Sequence, residues 1–266
     1  SLGRMAEDHG FESIWTVEHV VVPAGYESQY PYSPTGRMPG PEESPIPDPL
    51  IWLTWVGAAT TTLRLATGIL ILPQRNPVIL AKELATLDVL SSGRVELGVG
   101  VGWLREEYDA LGIPFEKRGA RTDEYVEALR TLWRDEEPCF DGTFASFDRA
   151  KCFPQPVQKH IPIHIGGHTM PAARRAGRLG DGFFPGRATD DELVPLLDTM
   201  RAAAKDAGRD PDAIEVTAGG VLDLDGVRRF ADYGVDRIVL PPLGWDLDTL
   251  REQLVRFSEQ VIEKAG

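Results

Sequence analysis

The sequence predicts an α/β protein built as a (β/α)8 TIM barrel. Short, continuously apolar segments alternate with longer amphipathic stretches, and continuously apolar strands are typical of a parallel sheet that is buried on both faces. At Gly10, Gly180 and Gly234 a helix ends and a strand begins at once, because glycine tolerates the left-handed conformation that closes a helix. The length of 266 residues agrees with such barrels, which typically have about 250 residues.

Strands and helices can be placed in order along the chain. The predicted strands are Ser13–Glu18, Arg64–Leu72, Arg94–Gly100, Pro162–Gly167, Asp181–Pro185, Glu215–Thr217 and Asp236–Leu240. The predicted helices are Leu2–His9, Pro77–Leu90, Thr122–Trp133, Met170–Leu179, Asp190–Ala207 and Leu247–Glu263. Because the chain begins with a helix that should follow a strand, we expect the first barrel strand to be missing from this sequence and to lie upstream of it. We expect one domain over residues 1–266.

Two long insertions follow the second and fourth strands, when the missing strand is counted as the first. Pro23–Pro49 contains eight prolines in 27 positions, which predicts an irregular loop because proline lacks the N–H and fixes φ. Leu104–His160 is too long for one strand-to-helix connection and contains its own turn at Asp141-Gly142. Both insertions follow the carboxyl ends of strands, where barrel enzymes build their sites, so we expect them to cover a site.

The composition excludes several classes of function. The chain has 28 arginine and lysine residues and 41 acidic residues, which gives a net charge of −13. A surface with this charge does not attract nucleic acid or an anionic membrane. No apolar run approaches the roughly 20 residues that span a bilayer. Two cysteines, Cys139 and Cys152, are too few for a disulfide scaffold and indicate a reducing compartment, so we expect a cytoplasmic protein.

Three segments at predicted strand ends are candidates for chemistry. His19 follows Glu18 at the end of a strand, where a histidine can move a proton near neutral pH; the alternative is a buried histidine bonded to a carbonyl. The run Gly98-Val-Gly100-Val-Gly102-Trp103 is not a dinucleotide fingerprint, because tryptophan stands where glycine is required. It either lets a flat or charged group approach the backbone or makes a tight turn.

The third segment, Gly166-Gly167-His168-Thr169, opens a helix whose first N–H groups are unpaired, which predicts an anion site. His164 and His168 are four residues apart, a spacing that suits zinc on a helix. On an extended segment they are separated by about 13 Å, so no metal site is predicted.

Taken together and in this order, the segments resemble the luciferase-like monooxygenase family. The matching segments are Trp15–His19, Ala66–Pro73, Arg75–Pro77, Leu87–Asp88, Ser92–Glu107, Phe153–Pro156, Ile163–Gly167 and Gly180–Gly182. Gly-Val-Gly-Trp-Leu-Arg-Glu-Glu together with Arg-Asn-Pro looks most like the actinobacterial branch that depends on the deazaflavin coenzyme F-420 (F420).

The resemblance implies a (β/α)8 barrel that binds F420 or FMN at the carboxyl ends of its strands, with a cis peptide bond at Gly68–Ile69. It implies that His19 and Glu18 are catalytic. The cofactor-binding residues that it implies are Thr67, Gly68, Ile69, Gly100, Val101, Gly102, Trp103, Arg105, Arg118, Gly166, Gly167, His168 and Thr169, of which Arg105, Arg118 and the last three would contact phosphate. Val101 and Trp103 stand where some F420 enzymes carry a small polar residue and a carboxylate, which argues against a sugar-phosphate dehydrogenase.

The implied function is hydride transfer between F420 and a small organic substrate, or monooxygenation with reduced FMN and oxygen. The alternatives are a non-catalytic flavin-binding relative, and a cofactor-free phosphate-binding lyase or isomerase, which would need a lysine or paired carboxylates at strand ends. Family members are usually dimers, so we expect a homodimer. Trp52, Trp55 and the apolar face of Pro49–Ala59 are a candidate interface, unless these tryptophans pack on the outer layer of the barrel.

Overall fold

The computed structural model describes residues 1–186, 189–244 and 246–265. Its strands are β1 (Ser13–Thr16), β2 (Arg64–Thr67), β3 (Leu70–Ile71), β4 (Val95–Gly100), β5 (Phe140–Asp141), β6 (Ser146–Phe147), β7 (Ile163–Gly166), β8 (Gly182–Phe184), β9 (Glu215–Gly219) and β10 (Arg237–Val239). Its helices are α1 (Leu2–Asp8), α2 (Pro49–Ala59), α3 (Pro77–Ser91), α4 (Arg105–Ala110), α5 (Arg118–Arg134), α6 (Met170–Leu179), α7 (Asp190–Asp206), α8 (Leu224–Asp232), α9 (Leu247–Phe257) and α10 (Glu263–Ala265). A π-helical turn, Ser258–Ile262, joins the last two.

A parallel sheet in the order β1-β2-β4-β7-β8-β9-β10, with β3 beside β4, curls into a nearly closed barrel. β5 and β6 form a separate antiparallel hairpin around the predicted turn. In the part of the chain that the structure describes, no backbone pairing joins β10 to β1. Arg237, the first residue of β10, instead donates to the Glu12 carboxylate across this gap at 3.0 Å. The predicted barrel is therefore confirmed, with an open seam between its first and last strands.

Helices surround the barrel, and their starts agree with the sequence. α2 begins at an Asp48 cap and α3 at an Asn76 cap; in each, the side chain accepts backbone N–H groups of the first turn and proline occupies the first helical position. Neighbouring helices pack side by side from α9 through α1, α2, α3, α5 and α6 to α7. The apolar core lies between this helical layer and the sheet.

Several local predictions need correction. The predicted strand Arg64–Leu72 is interrupted by a cis peptide bond at Gly68–Ile69, the bond that the family resemblance implied. Gly10 and Gly234 adopt the expected positive φ, but Gly180 has a φ of −77°. A Cβ on Gly180 would lie 2.6 Å from the carbonyl oxygen of Gly182, so close packing rather than left-handed backbone requires glycine there.

Three helices, α2, α4 and α8, are absent from the predicted helices. α4 and α8 are too short for the helical period to stand out, and Pro49–Ala59 stands out in the sequence only by its apolar face. The proline-rich insertion is confirmed as irregular, since residues 17–48 contain neither helix nor strand. No helix among the described residues is both long and apolar enough to cross a membrane.

Candidate active site

We call the end of the sheet at which the parallel strands finish the mouth of the barrel, and the opposite end its floor. Just beyond β1, His19 Nδ1 lies 3.0 Å from the Glu107 carboxylate, and these side chains are 9% and 0% exposed. A carboxylate can only accept hydrogen bonds, so the Nδ1 of a neutral His19 carries the proton and its Nε2 is an acceptor. The pair forms a positioned proton acceptor at the mouth.

Glu107 also orders the chain that follows His19. Its Oε1 accepts the backbone N–H groups of Val20 and Val21 at 2.6 and 3.3 Å. The adjacent Glu106 accepts the N–H groups of Glu27 and Ser28 at 2.7 and 3.0 Å. Hydrogen bonds from the Ser28 side chain and from these amides lower the pKa of Glu106 to about 2. Two successive carboxylates of α4 thus hold the proline-rich loop, residues 17–48, over the mouth.

Glu18, the second residue that was predicted to be catalytic, has a different environment. It is 4% exposed, accepts the Ile71 N–H at 2.6 Å, and forms an ion pair with Arg75, which also binds Asp48. Burial raises the pKa of Glu18, while the charge and hydrogen bonds of Arg75 oppose that rise. These contacts connect β3, the end of the loop and the start of α3, so the geometry favours a structural role; its catalytic role stays a prediction.

Glycines line the mouth, and Ile69 explains two of them. A Cβ on Gly100 would lie 1.9 Å from Ile69 Cδ1, and a Cβ on Gly166 would lie 2.5 Å from Ile69 Cγ2. The Ile69 side chain therefore occupies the space between β4 and β7 that side chains on these glycines would fill. Thr67, which is 1% exposed, donates to the Gly98 carbonyl at 2.7 Å and anchors β2 beside β4.

Beyond β4 the chain turns sharply. Gly102 has a φ of +68°, a left-handed conformation that favours glycine, and it follows the half-buried Val101. The next residue, Trp103, meets the His19 ring edge-on with ring centroids 5.7 Å apart. Trp103 also contacts Tyr26 and Tyr30 of the loop at 5.4 and 5.2 Å.

Two arginines flank one aromatic ring near this turn. Arg118 lies over the Phe115 ring at 3.7 Å and donates to the Gly102 carbonyl at 3.2 Å, while Arg105 lies over the same ring at 4.3 Å. Arg105 also pairs with the exposed Glu116. Burial lowers the pKa of Arg118. The structure thus brings the two arginines among the predicted phosphate contacts together beside the turn at Gly102.

The predicted anion segment lies at the start of α6. Gly167 has a φ of +123° and donates its N–H to the Phe184 carbonyl at 3.0 Å. The Thr169 hydroxyl accepts the Ala172 N–H at 3.4 Å as the helix cap, and the His168 ring contacts Tyr32 of the loop at 4.4 Å. All the predicted site residues therefore follow or end strands at the mouth.

His164 lies at the other end of the barrel. Its Nε2 is 3.1 Å from Glu96, and potential ligand atoms of Glu96, His164 and Glu215 lie within 4.8 Å of one another. Arg64 and Arg237 already occupy both oxygens of Glu96, and Arg237 also pairs with Glu215. We therefore assign this cluster to ion pairing and propose no metal site.

The mouth suits a flat, phosphate-bearing cofactor. Glycine backbone at Gly102, Gly186 and Gly220 carries positive φ, and a Cβ on Gly220 would meet nothing within 4 Å. Arg118 supplies a positive charge at the same end. Of these glycines, Gly220 is exposed, whereas the space beside Gly102 and Gly186 is taken by Ile71 and Tyr32. A proton acceptor, the open backbone at Gly220 and a guanidinium at this end of the barrel are groups that would serve a flavin-like cofactor.

Sequence reasoning missed Glu107 and the tyrosines of the loop. Glu107 was available as the last residue of the run Trp-Leu-Arg-Glu-Glu, but spacing alone does not show that the second carboxylate is buried against His19. Tyr26, Tyr30 and Tyr32 carried no sequence signal, because contacts across 70 residues or more cannot be read from an irregular segment.

Comparison with known sequences agrees with this site. A family model described as luciferase-like monooxygenase matches residues 1–224. An uncharacterized protein of Mycobacterium tuberculosis is 36% identical over 241 residues, which cover 89% of this chain and 84% of that protein. The F420-dependent glucose-6-phosphate dehydrogenase of Kineococcus radiotolerans is 30% identical over 226 residues, which cover 83% of this chain and 62% of that protein.

Comparison with solved structures gives the same fold. Monooxygenase RslO1 from Streptomyces bottropensis matches with a TM-score of 0.81 and 25% identity over 100% of this chain and 92% of that one. An F420-dependent secondary alcohol dehydrogenase, solved with an F420-acetone adduct, matches with a TM-score of 0.79 over 98% of this chain and 92% of that one. Its identity of 20% shows the fold alone. With the family match spanning most of the chain, the protein belongs to the luciferase-like monooxygenase family.

Proposed function

We propose that this protein is an oxidoreductase that binds F420 or FMN at the mouth of the barrel and oxidises or reduces a small organic alcohol or carbonyl compound. The observation that carries the proposal is the His19–Glu107 pair, an oriented and largely buried proton acceptor beside Trp103 at the mouth. F420 is favoured because 30%-identical relatives are named as F420-dependent dehydrogenases.

The chemistry of the cofactor is to accept a hydride from a substrate carbon, or to return it. The part of the protein is to hold the substrate hydroxyl at His19 Nε2, which accepts the hydroxyl proton as the carbon loses its hydride. An alcohol then becomes a carbonyl compound, and both electrons leave with the hydride. Glu107 positions His19, because its carboxylate lies 3.0 Å from Nδ1 and fixes the ring so that Nε2 is the acceptor.

Cofactor binding falls to the residues around the turn at Gly102. We assign the phosphate contacts to Arg118, with Arg105 beside it, and to the start of α6 at Gly167, His168 and Thr169. A guanidinium pairs with phosphate oxygens by charge-assisted hydrogen bonds, and unpaired helix N–H groups attract anions.

A second candidate is monooxygenation with reduced FMN and oxygen. It is supported by the similarity to monooxygenase RslO1, at 25% identity over the whole chain. Titration of the protein with F420 and FMN separately, followed by substrate turnover with and without oxygen, distinguishes the two. Oxygen-independent turnover with F420 supports the dehydrogenase, and turnover that requires oxygen and reduced FMN supports the monooxygenase.

Replacement of His19 tests the role of the proton acceptor. We expect His19→Ala to lower turnover by about 10²- to 10⁴-fold, with cofactor affinity nearly unchanged, because a positioned acid or base contributes that much to rate. His9→Ala, at the end of α1 on the outer layer, is the matched control. Equal turnover of His19→Ala and His9→Ala would contradict the assignment.

We also propose a homodimer formed through the outer faces of α2 and α3. Ile51 and Trp55 on α2 are 74% and 76% exposed, and Ile79 on α3 is 59% exposed, whereas Trp52 packs against the core. Exposed apolar side chains on adjacent helices favour association. Light scattering at micromolar concentration should give twice the mass of the chain, and Trp55→Arg should halve it; a monomer in both samples would contradict this interface.

A further inference from the structure

Aromatic rings from the loop cross the mouth of the barrel in one line. We call Trp103, Tyr26, Tyr30, Tyr32 and His168 the aromatic row. Trp103 contacts Tyr30 at 5.2 Å, Tyr30 contacts Tyr32 at 5.5 Å, and Tyr32 contacts His168 at 4.4 Å. The row therefore runs from the turn after β4 to the segment after β7.

Contacts with the rest of the protein hold two tyrosines of this row in place, Tyr26 beside Trp103 and Tyr32 beside His168. Tyr26 is 4% exposed, its hydroxyl accepts the Met38 N–H at 2.9 Å, and Arg37 lies 4.5 Å from the centre of its ring. At the other end, a Cβ on Gly186 would lie 3.0 Å from the Tyr32 ring, so glycine after β8 leaves room for that ring. Burial raises the pKa of Tyr32 to about 12, which keeps its phenol neutral.

The acidic groups around His19 and Trp103 are already bonded. Glu107 binds His19 and two backbone amides, and Glu18 binds Arg75 and Ile71. Glu106 binds two amides of the loop through Oε1, while its buried Oε2 has no hydrogen-bond partner among the described residues. Trp103, in contrast, lies edge-on to His19 and is only partly buried. Among the described residues, the surroundings of His19 therefore offer a substrate a proton acceptor and aromatic surface, and the carboxylates of Glu107 and Glu18 are already engaged with protein groups.

We propose that the substrate of the oxidoreductase is an uncharged, planar alcohol or carbonyl compound that stacks on Trp103 and meets the Tyr30 ring edge-on, since the planes of these two rings are 68° apart. This inference rests on the proposed function and assigns its substrate class. The substrate oxygen lies at His19 Nε2, and in the oxidation the C–H bond gives its hydride to the bound F420 or FMN. The O–H proton passes to His19, and the carbon–oxygen double bond forms.

The test compares two neutral alcohols that differ in planarity with one charged sugar. The probes are 2-naphthylmethanol, its saturated decahydro analogue and glucose 6-phosphate. Each is titrated by calorimetry into protein that is loaded with reduced cofactor, with which an alcohol does not react. An aromatic contact contributes about 0.5–1.5 kcal/mol beyond area burial, so we expect the naphthyl compound to bind about two- to tenfold more tightly than the saturated one. Glucose 6-phosphate should bind most weakly.

Variants of the aromatic row test whether its rings cause the preference for the naphthyl alcohol over its saturated analogue. Trp103→Leu and Tyr30→Leu should each bring the two neutral alcohols to equal affinity, whereas Trp55→Leu, on the outer face of α2, should keep the wild-type ratio. Two variants are used so that a folding defect in one leaves the other. Equal binding of the two alcohols to wild-type protein, or tightest binding of glucose 6-phosphate, would overturn the substrate class.

Cofactor titration of the same samples separates this inference from the proposed function. If F420 or FMN binds and the planar alcohol shows no preference, the substrate class is wrong and the oxidoreductase stands. If neither cofactor binds, both proposals are wrong.

Discussion

The two ends of the barrel use carboxylates in opposite ways. At the mouth, Glu106 and Glu107 accept backbone N–H groups and hold an irregular loop. At the floor, Glu96 is 3% exposed and is bonded to guanidinium groups from β2 and β10, and Arg237 continues the network to Glu12. Amide contacts shape a segment that has no secondary structure, whereas guanidinium contacts cross-link strands, including the pair at the open seam.

Trp15 separates these regions inside the barrel. Its ring lies 5.4 Å from Arg237 of the floor and meets His164 edge-on at 5.5 Å. A Cβ on Gly68, beside the cis peptide bond, would be 3.1 Å from the same ring. With an aromatic layer between them, charges at the floor are separated from the mouth, and this agrees with stability at the amino-terminal end of barrel strands and function at the carboxyl-terminal end.

The largest effect on stability is expected from removing the floor carboxylate. Glu96→Gln removes the carboxylate charge that Arg64 and Arg237 share, while both arginines keep Glu12 and Arg237 also keeps Glu215. The loss should therefore be about 3 kcal/mol, the lower end of the cost of breaking a buried ion pair. Chemical denaturation should show this loss in the free energy of unfolding, while cofactor affinity of the folded protein stays unchanged. Glu137→Gln, which removes exposed pairs with Arg149 and Lys151, should leave the free energy of unfolding nearly unchanged. Similar losses of unfolding free energy in Glu96→Gln and Glu137→Gln would contradict the special role of the buried carboxylate at the floor.

The same network predicts acid sensitivity. Burial opposes ionisation of Glu96, but its contact with His164 and the charges of Arg237 and Arg64 hold the pKa of this carboxyl at about 2 against an ordinary 4.5. Because the folded-state pKa is the lower one, the stabilisation is complete above pH 4.5 and is lost as pH falls toward 2. At about 1.4 kcal/mol per unit, it amounts to about 3 kcal/mol.

Chemical denaturation at several pH values tests whether the stabilisation by Glu96 is lost as pH falls. The free energies of unfolding of wild-type protein and Glu96→Gln should differ most near neutral pH and should converge toward pH 2. A constant difference across that range would show that Glu96 does not titrate between the two pKa values.

The fold could be predicted from sequence because its signals are local. Strand apolarity and the glycine at Gly10, which closes a helix, act within a few residues. The ion-pair network at the floor could not be predicted from sequence, because Glu96 and Arg237 are 141 residues apart. In the sequence, each looks like an ordinary charged residue at the start of a strand. The position of Glu18 against Arg75 depends in the same way on how β3 ends beside the loop.

At the mouth, the expected effect of removing Arg118 is on binding. A charge-assisted contact to cofactor phosphate is worth about 1.5–3 kcal/mol, so Arg118→Ala should weaken cofactor binding about tenfold to over a hundredfold and reduce its salt dependence. Arg134→Ala, which removes an exposed pair with Asp135, is the matched control. Unchanged cofactor affinity together with a lower melting temperature would contradict the phosphate contact. It would mean that Arg118 stabilises the fold through its contacts with the Phe115 ring and the Gly102 carbonyl.

The smallest effect is expected from weakening the hold on the loop. Glu106→Gln keeps an oxygen that can accept the Glu27 and Ser28 N–H groups but removes the charge that strengthens those bonds, which should cost about 1 kcal/mol or less of global stability. The loop has no secondary structure of its own, so that loss should appear as local opening. Amide hydrogen exchange in residues 17–48 should rise about fivefold, with exchange in the barrel strands unchanged. Faster exchange at the floor strands as well would mean that the two ends of the barrel are energetically coupled through the loop.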